Sequence, residues 1–307
     1  MTEKENTSLL TFQALGFIQS TLGAEKEDIC GIKPTKAGMT NRSFRFSFRG
    51  TEYILRVPGE GTDKLINRKN EAENYKAMAG SPITDRLVAL DPETGYKLTE
   101  FWPQTRNCDP GNWGEVQKCM EFLRTFHEKA LQVPHTFDLF RDIEFYESLM
   151  VRSEYPDYDQ VKARCMAMRP FLEGLQRDCI LTHVDAVPDN FLFVTENGAE
   201  TIHLIDWEYA GMHDPHLDIA MFAIYAGYDR DMLDRLMEWY FGGDCGDETR
   251  LKIYCYTALS GLLWSNWCEY KKALGVDFGD YARMQYRYAA DYSELFMKEY
   301  TPGGGKL

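Results

Sequence analysis

The spacing of apolar residues divides the chain into a first part of mixed strands and helices and a later part that is mostly helical. Apolar positions recur at helical spacing over residues 8–22, which predicts an amphipathic helix capped by Thr7 or Ser8. Phenylalanines alternate with polar residues over 44–48, the period of a half-buried strand. The other elements predicted in the first hundred residues are a strand over 53–57, a helix over 64–79, and strands over 87–90 and 96–99.

Beyond Trp102 the pattern becomes helical and is interrupted by one hairpin. Helices are predicted over 114–130 and 141–150, and the chain from about residue 216 is mostly helical and rich in aromatic residues. The hairpin has strands over 191–194 and 202–205, joined by a tight turn at Asn197-Gly198. We therefore predict an α+β, bilobal fold. A small N-terminal lobe (1–100) carries antiparallel sheet plus helix, and a larger C-terminal lobe (101–307) is mostly helical.

Composition narrows the possible functions. The 307 residues, 44% of them hydrophobic, suffice for a buried core. A net charge of −14 argues against nucleic acid as a partner and is compatible with a cationic substrate, although solubility explains most of it. No apolar run is long enough for membrane insertion, the N-terminus lacks a signal-peptide core, and the eight cysteines have no metal-site spacing. We expect a cytoplasmic protein with reduced thiols; the oligomeric state stays open.

The hairpin brings oxygen-bearing side chains to its open end. A turn near Gly198 lays Asn190 opposite Asp206 to within about a residue, with Asp185 one short loop away. Phosphoryl transfer needs such groups: a base for the attacking hydroxyl and oxygen ligands for nucleotide-bound Mg²⁺. Asp185 is the predicted base, and Asn190 and Asp206 are the predicted metal ligands.

The spacing of these residues resembles that of protein kinases. Asp185 precedes Asn190 by five residues, as in the H-R-D-x-x-x-x-N loop, and His183 stands two before Asp185. Asp206 follows its own strand, like the aspartate of D-F-G. We assign His183 to the catalytic loop in a structural role, tying it by hydrogen bonds to the strand that precedes Asp206.

Candidate nucleotide contacts lie in the first lobe. Arg56 stands on a strand where kinases place a phosphate-gripping lysine, and Glu71 on the next predicted helix is its natural ion-pair partner. The remaining candidates are Gly38, Thr40, Asn41 and Ser43 in the position of a phosphate-covering loop, and Glu100 and Trp102 near adenine on position alone.

Aromatic residues in the last third suggest an acceptor with a quaternary ammonium group. Trp264 and Trp267 lie three residues apart on one helix face, and Tyr281 follows. Aromatic faces attract such cations, but for a tryptophan pair taken alone a hydrophobic core is the better interpretation, and only the family resemblance described next favours a binding role. The predicted substrate residues are Asp185, Glu208, Tyr209, Trp264, Trp267 and Tyr281, with Glu208 also a candidate metal contact.

From about Gly38 to Tyr281 the chain resembles the choline/ethanolamine kinase family, related to aminoglycoside phosphotransferases, and most of all its bacterial Lic-type branch. The resemblance implies a protein-kinase-like fold and phosphorylation of choline to phosphocholine with ATP and Mg²⁺. Arg56 departs from the family's lysine, and Ala37 replaces a glycine. The motifs that carry the resemblance are G-M-T-N at 38–41, L-I-N-R-x-x-E at 65–71, the His183–Asn190 loop, I-D-W-E-Y at 205–209, W-x-x-W at 264–267 and D-F-G-D-Y at 277–281.

Three alternatives stay open at this point. Ethanolamine could be the acceptor, although a primary ammonium prefers carboxylates or carbonyls to aromatic walls. An aminoglycoside would prefer the many acidic groups that this chain carries. A catalytically silent nucleotide-binding protein is less expected, because the predicted base and metal ligands are all present.

Overall fold

The computed structural model describes residues 10–35, 41–59, 62, 66–150 and 152–300. Within them the strands are β1 (Cys30–Pro34), β2 (Asn41–Phe48), β3 (Thr51–Pro58), β4 (Leu87–Leu90), β5 (Lys97–Glu100), β6 (Thr105–Asn107), β7 (Ile180–Thr182), β8 (Phe191–Glu196), β9 (Ala199–Leu204) and β10 (Gly211–His213). The helices are α1 (Phe12–Leu22), α2 (Arg68–Ala77), α3 (Trp113–His127), α4 (Leu139–Ser148), α5 (Tyr158–Met166), α6 (Arg169–Gly174), α7 (Leu217–Ala226), α8 (Arg230–Phe241), α9 (Asp247–Ala273) and α10 (Asp280–Glu299).

The chain divides into two compact units, and each is built from two stretches of sequence. The first comprises Met1–Asn107 and Phe191–Ala210, and the second comprises Cys108–Asn190 and Gly211–Leu307. The hairpin of β8 and β9 therefore groups with the N-terminal stretch. The predicted lobe boundary at residue 100 stays a prediction.

The first unit contains a five-stranded antiparallel sheet in the order β1-β2-β3-β5-β4. Phe44, Phe46 and Phe48 all face a buried core that includes Leu55 and Ile18, so the predicted alternation on β2 is confirmed. β6, β8 and β9 form a separate three-stranded sheet in which Phe191 pairs with Leu204. The opposition of Asn190 and Asp206 stays a prediction, since the pairing begins at Phe191.

The second unit is mostly helical, with β7 and β10 as a small antiparallel sheet. α9 runs through its centre and is buried almost continuously from Lys252 to Cys268. It packs most extensively on α10, where Gly261 makes the contact close. A Cβ atom at Gly261 would lie 2.6 Å from the backbone oxygen of Gln285 and 2.8 Å from the backbone nitrogen of Ala289. This glycine therefore sets how near the two helices approach.

Helix caps explain where two predicted helices begin. The predicted caps Thr7 and Ser8 lie outside the described residues, and Thr11 caps α1 by accepting a hydrogen bond from the backbone nitrogen of Ala14. The helix predicted over 64–79 begins only at Arg68. Asn67 caps it, because its side-chain oxygen accepts hydrogen bonds from two first-turn backbone nitrogens.

Two further observations bear on the expectations from composition. All eight cysteines lie in the described part of the chain, and all are free thiols. None of the helices in the described ranges is long and apolar enough to cross a membrane.

Candidate active site

A buried charge cluster joins β3, α2 and the segment after β9 in the first unit. It consists of Arg56, Arg68, Glu71, Asp206 and Glu208. Arg56 lies in the middle of the sheet, paired on both sides, which fixes the direction of its side chain. Its Nη2 donates to Glu71 Oε2 at 2.7 Å, and its Nη1 lies 3.1 Å from Asp206 Oδ1. The ion pair of Arg56 and Glu71 predicted from the sequence is therefore present.

A second arginine completes the charge cluster. Arg68, the first residue of α2, donates from Nη1 to Glu71 Oε2 at 3.0 Å and to Glu208 Oε2 at 2.8 Å. Asn41 bridges the same groups, because its Nδ2 donates to Glu208 Oε2 at 2.9 Å and its oxygen accepts from Arg68. Gly95 leaves room for this packing, since a Cβ there would lie 2.7 Å from Arg68 Nε. From the sequence, Arg68 appears only within the L-I-N-R-x-x-E motif and is given no role in the site.

The three carboxylates of the charge cluster differ in pKa and in exposure to solvent. Their oxygens lie within 4.8 Å of one another. Burial alone would raise the pKa of Glu71, but the adjacent Arg56 outweighs it and lowers that pKa. Burial and the charge of Asp206 raise the pKa of Glu208 to about 7. The Asp206 side chain is 31% exposed, whereas those of Glu71 and Glu208 are almost fully enclosed. Asp206 is thus the member that solvent or a ligand can reach.

The second unit contains the predicted catalytic loop, which leads from β7 into β8. Asn190 donates from Nδ2 to the backbone oxygen of Asp185 at 2.8 Å and to Asp185 Oδ2 at 3.0 Å. The backbone nitrogen of Val187 also donates to the Asp185 backbone oxygen. These bonds close the loop on itself and fix Asp185, whose side chain stays partly exposed. They use the amide nitrogen of Asn190, so its amide oxygen is the atom that could coordinate a metal ion.

Asp218, in the first turn of α7, braces this loop from behind. Its Oδ2 accepts from the backbone nitrogen of His183 at 2.9 Å, and its Oδ1 accepts from that of Val184 at 2.7 Å. Val184 has a φ of 69°, a left-handed conformation that a β-branched residue rarely adopts. Such strain costs on the order of 1–3 kcal/mol and persists only where surrounding contacts hold it. Asp185 follows directly, so the brace fixes the predicted base.

Five aromatic side chains meet near the loop and form the aromatic cluster: Tyr225, Trp264, Trp267, Phe278 and Tyr281. The rings of Trp264 and Trp267 meet edge to face at 5.9 Å, and Trp267 stacks on Phe278 at 4.8 Å. Tyr281 lies edge-on to Tyr225 at 5.9 Å. Tyr225, which sequence reasoning missed, donates its hydroxyl to Asp189 on the loop at 2.9 Å.

Electrostatics link the aromatic cluster to the predicted base. Burial raises the pKa of Tyr225, and so do the hydrogen bond and charge of Asp189 and the charge of Asp185. Burial also raises the pKa of Tyr281, with further contributions from Cys268 and Asp185. The Asp185 carboxylate therefore acts on both phenols, which puts the three groups within Coulombic range of one another.

Comparison with known proteins identifies the family of the chain. The sequence model described as Choline/ethanolamine kinase matches residues 32–234, more than half of the chain. The chain belongs to the choline/ethanolamine kinase family. Protein LicA of Haemophilus influenzae is 28% identical over 264 residues, which cover 80% of this chain and 75% of LicA. The resemblance seen in the sequence motifs is thereby confirmed.

Solved structures related to this choline/ethanolamine kinase family member show the same fold. The crystal structure of choline kinase LicA from Streptococcus pneumoniae is 27% identical, with a TM-score of 0.77 over 91% of this chain and 98% of that one. A structure of LicA in complex with AMP is 28% identical, with a TM-score of 0.79 over 92% and 98% of the two chains. The predicted α+β, protein-kinase-like fold is confirmed, and the protein is a phosphotransferase of the kinase type.

The remaining predicted site residues of this family member are placed as follows. Gly38 and Thr40 lie outside the described residues. Ser43 pairs with Arg56 across β2 and β3. The ring of Trp102 is buried and packs on His203 at 4.3 Å, so its main contact is made within the first unit. The assignments of Glu100 and Trp102 to adenine, of Ser43 and Asn41 to phosphate, and of Glu208 and Tyr209 to substrate stay predictions.

Proposed function

We propose that this protein is an ATP-dependent choline kinase. The observation that carries the proposal is that the aromatic cluster is joined to the Asp185–Asn190 loop by the hydrogen bond from Tyr225 to Asp189, within Coulombic range of Asp185. A base that can accept a hydroxyl proton then stands next to aromatic faces suited to a quaternary ammonium group. Choline combines a hydroxyl and a trimethylammonium in one small molecule.

In the proposed reaction the choline oxygen attacks the γ-phosphorus of ATP. A new O–P bond forms, the bond from the γ-phosphorus to the β–γ bridging oxygen breaks, and ADP leaves with that oxygen. The hydroxyl proton passes to Asp185, whose backbone and carboxylate are both held by Asn190. The products are phosphocholine and ADP. The neighbouring Asp189 and Tyr225 help to orient the acceptor, because they join the loop to the aromatic cluster.

The charge cluster supports nucleotide and magnesium binding. Asp206 offers a partly exposed carboxylate and Asn190 a free amide oxygen, both hard ligands of the kind that Mg²⁺ prefers. When bound, the ion would neutralise phosphate charge during transfer. Arg56 is enclosed by carboxylates, so a contact with phosphate requires it to exchange part of its bonding with Asp206.

Eight free thiols and the use of ATP make the cytoplasm the proposed compartment.

The proposal is tested by measuring ADP release from the purified protein with Mg²⁺ and ATP. Choline, ethanolamine and kanamycin are compared side by side at equal concentration. The proposal expects turnover that depends on choline and exceeds turnover with the other two. Faster turnover with ethanolamine or kanamycin would keep the kinase assignment and reject choline as the acceptor. No ADP release with any of the three acceptors, together with intact binding of ATP, would favour a non-catalytic role.

A further inference from the structure

The Asp218 brace is itself held by two buried side chains that the proposed mechanism does not use. His127, at the end of α3, places Nε2 3.0 Å from Asp218 Oδ2. Its other ring nitrogen, Nδ1, lies 2.8 Å from the hydroxyl of Tyr240 on α8. His127 and Tyr240 are each only 5% exposed. Three helices therefore meet at one imidazole ring directly behind the catalytic loop.

We propose that His127 is a positioning residue of the proposed kinase reaction. It fixes the orientation of the Asp218 carboxylate and, through it, the backbone at His183 and Val184 that carries Asp185. The inference rests on the proposed function only where turnover is measured, because the hydrogen bonds themselves can be tested without substrate.

Hydrogen-bond chemistry determines which groups donate and which accept between His127, Asp218 and the catalytic loop. A carboxylate only accepts hydrogen bonds, so the Nε2 atom of His127 carries the proton that it shares with Asp218. Asp218 is completely buried and has three donors: the imidazole and the two loop backbone nitrogens. A buried carboxylate that loses one of three donors must turn or recruit water. Either change alters the acceptors that hold the loop.

The strain at Val184 makes the loop sensitive to this change. Its left-handed backbone is kept in place by the bond from its nitrogen to Asp218 Oδ1. When the carboxylate turns, that bond lengthens and Val184 can relax towards an ordinary backbone conformation. Asp185 is the next residue, so its carboxylate moves away from the acceptor hydroxyl while the aromatic cluster stays in place. The expected defect is in the chemical step rather than in substrate binding.

The first experiment compares kcat and KM for three variants with wild type. His127→Leu removes both ring hydrogen bonds at similar volume, His127→Gln restores a donor, and Tyr240→Phe removes only the hydroxyl. We expect His127→Leu to lower kcat by roughly 10–100-fold, as other indirect supports of active sites do, with both KM values within about threefold. His127→Gln should recover most of the loss, and Tyr240→Phe should lie between. Full activity in His127→Leu would overturn the proposal.

A matched control separates positioning from general stability. Val116 is fully buried on the same helix and takes no part in the hydrogen bonds to Asp218. Val116→Ala should lower the melting temperature while kcat per folded molecule stays within about twofold of wild type. An equal fall of kcat in Val116→Ala and His127→Leu would show that α3 acts only as structural support, and would overturn the proposal.

Backbone hydrogen exchange tests the same inference without turnover. Peptides covering residues 180–187 are followed by mass spectrometry in all variants, with no substrate added. We expect faster exchange in His127→Leu and, to a smaller degree, in Tyr240→Phe, but not in Val116→Ala. Unchanged exchange in the first two would overturn the inference whatever the activity. If no acceptor is phosphorylated, the proposed function fails but this measurement still decides the role of His127. If His127→Leu does not fold, Tyr240→Phe decides it.

Discussion

Asp185 is the side chain on which the proposed reaction depends most. Asp185→Asn keeps its size and a partner for Asn190 but removes the ability to accept a proton. We expect kcat to fall by about 10²–10⁴-fold, the range over which general bases contribute. Affinity for Mg²⁺-ATP, measured by calorimetry, should change by less than about threefold. Turnover close to wild type would show that another group, or none, takes the proton.

His216 gives the protein a predictable dependence of stability on pH. Burial lowers its pKa to about 4; the nearby Asp214 opposes this shift, and the charge of Lys252 adds to it. The unfolded chain then binds a proton near pH 6.5 that the folded protein accepts only near pH 4. The contribution of His216 to stability is therefore fully present above pH 6.5. It is lost as the pH falls towards 4, at roughly 1.4 kcal/mol per pH unit.

The variant His216→Gln isolates this effect, because it removes the titrating group and keeps a polar side chain. Melting temperatures are measured at half-unit steps from pH 7.5 to 5. Wild type should lose several degrees more than the variant over this interval. Parallel curves for the two proteins would mean that His216 takes up its proton in the folded state as readily as in the unfolded chain.

Only part of the candidate site could be read from the sequence. Arg56, Glu71 and the Asp185–Asn190 loop follow from motif spacing, because each motif is short and local. Arg68 and Glu208 are 140 residues apart in the chain, and no periodicity relates them. Their contact arises only when the segment after β9 packs against α2. Contacts of this kind need the three-dimensional structure.

Among the elements, the close packing of α9 on α10 has a direct consequence for the acceptor site. Gly261→Ala adds a methyl group that lies too near the backbone of Gln285 and Ala289, so the helices must separate. Trp264 and Trp267 follow on α9, and Tyr281 is the second residue of the opposing helix. We expect a loss of about 1–3 kcal/mol in stability and a KM for choline raised by about threefold or more, with the KM for ATP nearly unchanged.

A matched glycine serves as the control for Gly261. Gly16 lies inside α1 and has no atom within 4 Å of a Cβ built on it. Gly16→Ala should leave both KM values unchanged and stabilise the protein slightly, because alanine favours a helix over glycine by about 1 kcal/mol. If Gly261→Ala behaved like Gly16→Ala, the aromatic cluster would not depend on the spacing of the two helices.

Three of the strands that escaped prediction share a physical property. β6, β7 and β10 have three residues each, too few for an alternating pattern to register. β7 and β10 exist because they pair with each other across a long stretch of sequence. By contrast, β2 and α9 carry their burial pattern over many residues. Long amphipathic or buried elements are therefore predictable, and short ones that depend on a distant partner are not.

For the whole molecule, the net charge of −14 predicts how acceptor use responds to salt. A negative field attracts a cationic acceptor, and dissolved ions screen that field. At saturating ATP, kcat/KM for choline should fall severalfold between 20 and 300 mM NaCl, concentrations at which the Debye length shrinks from about 20 to about 6 Å. The neutral analogue 3,3-dimethylbutan-1-ol is the control and should change little. An equal response of both alcohols would show that the field does not act on the acceptor.

The first unit is assembled from two stretches of chain, with a consequence for synthesis on the ribosome. A nascent chain that ends at Asn107 already contains Arg56, Arg68 and Glu71, but not Asp206 or Glu208. Two arginines then face one glutamate, and β6 lacks its partner strand. The missing carboxylates are translated only when residues 108–208 have been added, which takes roughly 5–20 s at elongation rates of about 5–20 residues per second. During that interval the unit is incomplete, so truncation before the hairpin should yield material for chaperones and proteases rather than a separable nucleotide-binding fragment.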